Sequence, residues 1–152
     1  MKKIIILFCV ILLVGCGNKE INLSFDNIKD NIENLSIDSK LLFENNDYYS
    51  QEKLEAKYDI DVSCMNEIIA YMSVNAASAD MYIVILPKDK QKAKEEINKI
   101  FDVYDSTFKN YYPLEQAKIE NRLEKEYGKY LIYIVSDNNE LVYNTIINSK
   151  EK

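Results

Sequence analysis

Apolar and polar residues along the chain form patterns that predict helices and strands in turn. Five segments are predicted as helices: residues 25–35, 51–58, 93–108, 114–121 and the stretch after Asp137. Four segments have the pattern of strands: residues 66–74, 81–86, 122–127 and 130–135. Residues 36–50 are predicted to be irregular or weakly helical.

The predicted strands differ in how each of their faces is buried. Residues 81–86 and 130–135 are apolar on both faces, as central strands are. Residues 66–74 alternate, so one face is expected to be more buried than the other, and the charged residues 122–127 predict an edge strand. Together the elements predict an α+β fold, a small antiparallel sheet of three to four strands with helices packed on one face.

Capping side chains predict where the first and last helices begin. Ser24 precedes the first helix, and Asp137 with Glu140 three residues later resembles a capping box. The first helix begins just after Ser24 and the last follows Asp137, and all the predicted elements fit one domain over residues 24–152.

The N-terminus has the features of an export signal. Lys2 and Lys3 precede an apolar run, residues 4–15, which is too short to span a bilayer stably but suits the core of a signal peptide. The tetrad Leu13-Val14-Gly15-Cys16 resembles the lipobox of bacterial lipoproteins.

This resemblance implies cleavage between Gly15 and Cys16 and attachment of lipid to the Cys16 thiol. Residues 1–15 would be removed, and residues 16–23 would form a lipidated tether. The expected location is the extracytoplasmic face of the cell membrane, because two or three acyl chains hold a protein there durably. The alternative is an ordinary signal peptide with a cysteine at this position by chance.

Charge and composition exclude several classes of function. Removal of residues 1–15 leaves 17 basic and 25 acidic side chains, a net charge of −8, which disfavours nucleic acid as a partner. The chain has no histidine, so His-ligated zinc, Ser-His-Asp and Cys-His catalysis are excluded.

Cys64 lacks a histidine partner and is interpreted as a small core residue. No cofactor or metal is predicted.

Four tyrosines in predicted loops form a possible binding surface. Exposed aromatic rings stack on sugars or anchor a partner, and Tyr48, Tyr49, Tyr111 and Tyr112 lie where binding residues are frequent. The alternative is that they are ordinary packing residues.

Carboxylates offer a second hypothesis, a cell-envelope hydrolase that uses Asp59 or Glu115. This hypothesis requires paired carboxylates in a cleft. On a chain with 25 acidic residues, such pairs also arise as ordinary solvated side chains.

Several short stretches follow one another between about residue 58 and residue 146: residues 58–61, 79–90, 112–115, 119–121 and 128–137. In their order and spacing, this region resembles the bacterial family called domain of unknown function 4358. The resemblance implies a small lipoprotein of Gram-positive bacteria and supplies no catalytic residue.

Sequence and resemblance together predict a membrane-anchored lipoprotein with a non-catalytic binding or accessory role. The membrane would be bound through lipid on Cys16, and an envelope protein or a glycan would be the partner.

Overall fold

The computed structural model describes residues 20–151, which form five helices and seven strands. The helices are α1 (Phe25–Glu33), α2 (Gln51–Tyr58), α3 (Lys90–Phe108), α4 (Pro113–Glu120) and α5 (Asn139–Asn148). The strands are β1 (Ser36–Ile37), β2 (Lys40–Leu41), β3 (Asn46–Tyr48), β4 (Met65–Ser73), β5 (Met81–Pro87), β6 (Leu123–Tyr127) and β7 (Tyr130–Val135). None of these helices has the length and apolar character needed to cross a membrane.

The central element is a five-stranded antiparallel sheet in the order β3-β4-β5-β7-β6. The α+β prediction is confirmed, but three to four strands were too few. The additional strand, β3, lies in the segment predicted to be irregular or weakly helical, where β1 and β2 also form a separate hairpin. β3 is short and polar, and it is a strand because it pairs with β4, with Tyr48 opposite Tyr71.

Helices cover both faces of the sheet, so the prediction of helices on one face is wrong. α1 and α5 pack on one face, where Ile28 and Ile146 join Tyr82 in a buried cluster. α2, α3 and α4 pack on the other, where Ile97 joins Ile83. Central strands that are apolar on both faces need cover on both sides.

β4 is more completely buried than its alternating pattern predicted. From Ile68 to Ser73 every residue is buried, so no face of this stretch is exposed. Ile69 and Tyr71, on the face expected to be less buried, lie in the cluster that contains Ile28 of α1, whereas Glu67 on the same face is exposed.

Capping side chains begin the helices, and one predicted cap is corrected. The Ser24 hydroxyl accepts a hydrogen bond from Asn27 N–H, as expected. α5 is capped by Asn138, whose side chain accepts from Leu141 N–H at 3.1 Å, and not by Asp137. Asp137 instead pairs with Lys118.

The two ends of the described chain lie side by side. Leu23 forms a β-bridge with Lys150, and Leu23 N–H donates to the buried Tyr130 hydroxyl at 3.0 Å. Leu23, the last residue of the predicted tether, therefore belongs to the core. The predicted signal peptide with Gly15 and the predicted lipid site Cys16 lie outside the described residues.

Candidate functional site

A groove, which we call the edge groove, lies beside the β4 edge between α1 and the start of α2. Its volume is about 630 Å³, within the range of ligand sites. Consecutive β4 residues from Asn66 to Ile69 form its floor.

The groove exists because β3 covers only part of β4. The two strands pair from Asn46 to Tyr48, and one further bond follows, from Tyr49 N–H to Ala70 O at 2.9 Å. At Ser50 the chain leaves the edge and enters α2, where the Ser50 hydroxyl accepts from Lys53 N–H. The start of β4 is therefore left without a neighbouring strand on this side, although β5 pairs with it on the other side.

The walls of the groove combine aromatic and charged side chains. α1 contributes Phe25, Asp26 and Lys29, and α2 contributes Glu52. A hydrogen bond with Tyr71 and the nearby carboxylate of Glu33 raise the pKa of Lys29, so this lysine is held by groups of the protein itself.

Three tyrosines on neighbouring strands line up across the sheet next to the groove. Tyr48, Tyr71 and Tyr82 are directly opposite one another in the register of β3, β4 and β5. The Tyr48 and Tyr71 rings are 5.7 Å apart and tilted, and Tyr48 is 47% exposed at the end of the row. This row supports the groove from the side of α1.

The structure does not bring the four predicted loop tyrosines together. Tyr48 lines the edge groove, but Tyr49 is 5% exposed and packs in the cluster on the opposite face. Tyr112 packs against Phe108 of that same cluster, and Tyr111 is 79% exposed. Of the predicted surface, only Tyr48 lines the groove.

The two carboxylates suggested for hydrolysis also lie apart. Asp59 ends α2 in a left-handed conformation, and its carbonyl accepts from Lys99. The Glu115 carboxylate accepts from Ala79 N–H at 2.7 Å and pairs with Lys118. The two residues share no hydrogen-bond or ion-pair partner.

Lys118 is the centre of a partly buried ion cluster near the start of β5. Its ammonium lies 3.0 to 3.1 Å from carboxylate oxygens of Asp80, Glu115 and Asp137. Burial by itself would lower the pKa of Lys118. The hydrogen bonds to these carboxylates raise that pKa by a larger amount, so the net shift is upward. The cluster ties α4, which carries Glu115 and Lys118, to the loop before β5 and to the loop after β7. Among residues 20–151, no group of three acidic or cysteine side chains is placed to hold a metal ion.

Cys64 is buried in the core next to the turn that precedes β4. Its thiol donates to Asp61 O at 3.0 Å, and burial raises the pKa of the thiol. The thiol is therefore protonated at neutral pH and weakly nucleophilic.

Residues 39–136 match the family described as Domain of unknown function (DUF4358). The chain belongs to the DUF4358 family. Comparison with curated proteins and with solved structures gave no match.

The DUF4358 region contains the whole sheet and the helices of one face. It extends from the turn of the β1–β2 hairpin to just past the end of β7, so it both begins and ends earlier than the region 58–146 from which the resemblance was drawn. α1 and α5 lie outside the match. The open edge of β4 is thus part of the DUF4358 region, whereas the α1 wall of the groove is not.

Sequence reasoning missed the charged residues of the edge groove. Nothing in the sequence pattern singles out Asp26 or Glu67 as a site residue, because one lies in a predicted helix and the other in a predicted strand. They face one groove because α1 crosses the sheet beside β4, which a sequence pattern does not specify.

Proposed function

We propose that this DUF4358 protein is a membrane-anchored extracytoplasmic lipoprotein that acts as a non-catalytic binding module. The edge groove is the observation that carries the binding role, because it combines an open strand edge with aromatic and charged walls. The lipobox-like tetrad ending at Cys16 supports the anchor.

The arrangement of the first described residues supports a short anchor. Glu20 pairs with Lys129 at 3.0 Å, and Ile21 lies against Gly128 in the β6–β7 turn. Four residue steps separate Cys16 from Glu20, and a fully extended chain covers about 14 Å over that length. A lipid on Cys16 would therefore hold the β6–β7 turn close to the membrane surface.

The location is tested by replacing each cysteine separately in cells that produce the protein. Cys16→Ser is expected to abolish incorporation of radiolabelled palmitate and to shift the protein from the membrane pellet to the soluble fraction. Cys9→Ser and Cys64→Ser are matched controls, which should leave both readouts unchanged. Palmitate on the Cys16→Ser variant, or an unlabelled wild-type protein, would refute the anchor.

The binding role is tested with the purified mature protein and envelope components. Immobilised wild-type protein is expected to retain an envelope protein or a glycan from gently solubilised membranes. The same protein with Tyr48→Ala and Phe25→Ala, which alter the groove walls, should retain less. Tyr111→Ala is the matched control, because Tyr111 is exposed but does not line the groove. Equal retention by all variants would contradict binding at the edge groove.

A further inference from the structure

We propose that the edge groove binds an extended peptide with basic side chains, which adds to the sheet as a strand beside β4. This inference rests on the binding role proposed above and names the class of partner. Three features of the groove support it: the direction of the β4 backbone groups, the length of the open edge and the charge of the walls.

The backbone of β4 presents hydrogen-bonding groups to the groove. Alternate residues of a strand direct their N–H and C=O groups to the same side. Ala70 O accepts from Tyr49 on the β3 side, and Val74 N–H donates to Asn45 on that side too. Ile68 is in phase with both, so its N–H and C=O face the groove. Among residues 20–151, no group outside the pairing with β5 forms a hydrogen bond with the N–H or C=O of Ile68.

The open edge has the length of a short strand. From Asn66 to Ile69 it spans about 10 Å at the usual rise of a β-strand, which accommodates three to four peptide residues. Added strands of this kind gain affinity from main-chain bonds and specificity from alternate side chains. Phe25 and Tyr48 offer apolar contact to side chains that point towards α1.

The walls of the groove carry excess negative charge. Asp26, Glu52 and Glu67 line it and are exposed, against one lysine, Lys29, which is paired with Glu33. No ion pair within the described chain involves any of these three carboxylates. Lysine or arginine side chains of a bound peptide would neutralise them, whereas an acidic peptide would be repelled.

The other edge of the sheet, formed by β6, is protected against the addition of a further strand, and in this respect it differs from the β4 edge. β6 carries Glu124, Lys125 and Glu126 in succession, and all three form ion pairs. Charged side chains on an edge strand discourage the addition of another strand. The β4 edge has no such ion-paired row, since Ile68 and Ile69 are buried and Glu67 is unpaired.

A peptide titration tests the inference independently of lipid attachment. The full mature chain with Cys16→Ser is titrated with a blocked pentapeptide that alternates valine and lysine, and amide signals are followed by NMR. The Ile68 amide is expected to shift and to exchange with solvent about tenfold more slowly at a peptide concentration about ten times Kd. A peptide with glutamate in place of lysine should bind more weakly, and N-methylation of the lysine peptide's backbone should abolish binding.

Charge variants identify the site. Asp26→Lys with Glu67→Lys is expected to weaken binding of the lysine peptide about three- to tenfold, as two surface ion pairs are lost. Asp102→Lys is the matched control, because Asp102 is exposed and lies outside the groove. An unchanged Ile68 amide, equal binding of the glutamate peptide, or dimerisation of the chain through this edge would overturn the inference. Each result leaves the palmitate experiment unaffected, so failure of the anchor and failure of peptide binding are distinguishable.

Discussion

Tyr71 and Tyr82 stack face to face on neighbouring strands, with ring centroids 5.2 Å apart and ring planes inclined by 6°. Their hydroxyl groups differ. The Tyr71 hydroxyl donates to Glu33 at 3.3 Å, whereas the Tyr82 hydroxyl is buried without a partner among residues 20–151. Burial raises the pKa of Tyr82, as expected for a phenol enclosed by apolar groups.

Tyr82→Phe is predicted to stabilise the protein by about 1 kcal/mol, because it removes a buried hydroxyl that has lost its bonds to water. The free energy of unfolding measured with urea checks this value. Tyr71→Phe is the matched control and should destabilise by about 1 kcal/mol, since it breaks a bond. A loss of stability for Tyr82→Phe equal to that of Tyr71→Phe would show that the Tyr82 hydroxyl has a partner.

Lys118→Met is predicted to destabilise the protein by about 2 kcal/mol. The substitution leaves Asp80 and Glu115 partly buried without their cation, and unpaired buried charge is costly. Lys125→Met, which breaks the exposed pair with Glu140, should cost less than about 0.5 kcal/mol. Urea unfolding of both variants tests the difference, and equal effects would argue against a structural role for the Lys118 cluster.

Glu126 is predicted to give the protein a stability contribution that is lost in acid. Hydrogen bonds from Lys90 and Lys94 lower the pKa of Glu126 to about 2, from an ordinary value of 4.5. Because folding favours the charged form, the contribution is complete above pH 4.5 and disappears as the pH falls towards 2.

NMR titration of the Glu126 carboxyl measures this shift directly. Lys90→Gln with Lys94→Gln should return the midpoint towards 4.5 and flatten the pH dependence of stability over the same window. A midpoint near 4.5 in the unmodified protein would refute the predicted pairing.

Gly128→Ala is predicted to destabilise the protein by about 1 kcal/mol. Gly128 has a φ of 58°, which side chains disfavour, and an added Cβ would lie 3.3 Å from the Ile21 Cβ. Gly128→Asn separates the two causes, because asparagine tolerates this conformation but also carries a Cβ. A smaller loss for asparagine in thermal unfolding would assign the cost to the backbone, and no loss for alanine would contradict the prediction.

The regular elements were predictable because their signals are local. The helix predicted over residues 93–108 ends at Phe108 as α3 does, and Asp89 caps that helix. Proline suits the first position of a helix, and Pro113 begins α4 one residue before the predicted start. Tyr130–Val135 was predicted as a strand from its uninterrupted apolar run, and the structure confirms it.

The remaining features depend on contacts that are distant in sequence. β3 has a polar sequence and exists only through its pairing with β4, so no local pattern marks it. The side of the sheet on which a helix packs is also not local, although the two-faced burial of β5 already implied cover on both sides. The edge groove was not predictable for the same reason, because its shape depends on where β3 stops.

The bridge between Leu23 and Lys150 determines where a label can be attached without disturbing the protein. A tag fused after Lys150 would emerge beside Leu23, at the end of the sheet that carries the β6–β7 turn, and would crowd the lipid anchor that we propose. The loop at residues 74–77 is exposed and lies at the opposite end, after β4. If the protein is anchored as we propose, an epitope inserted there would point away from the bilayer and remain accessible to antibodies.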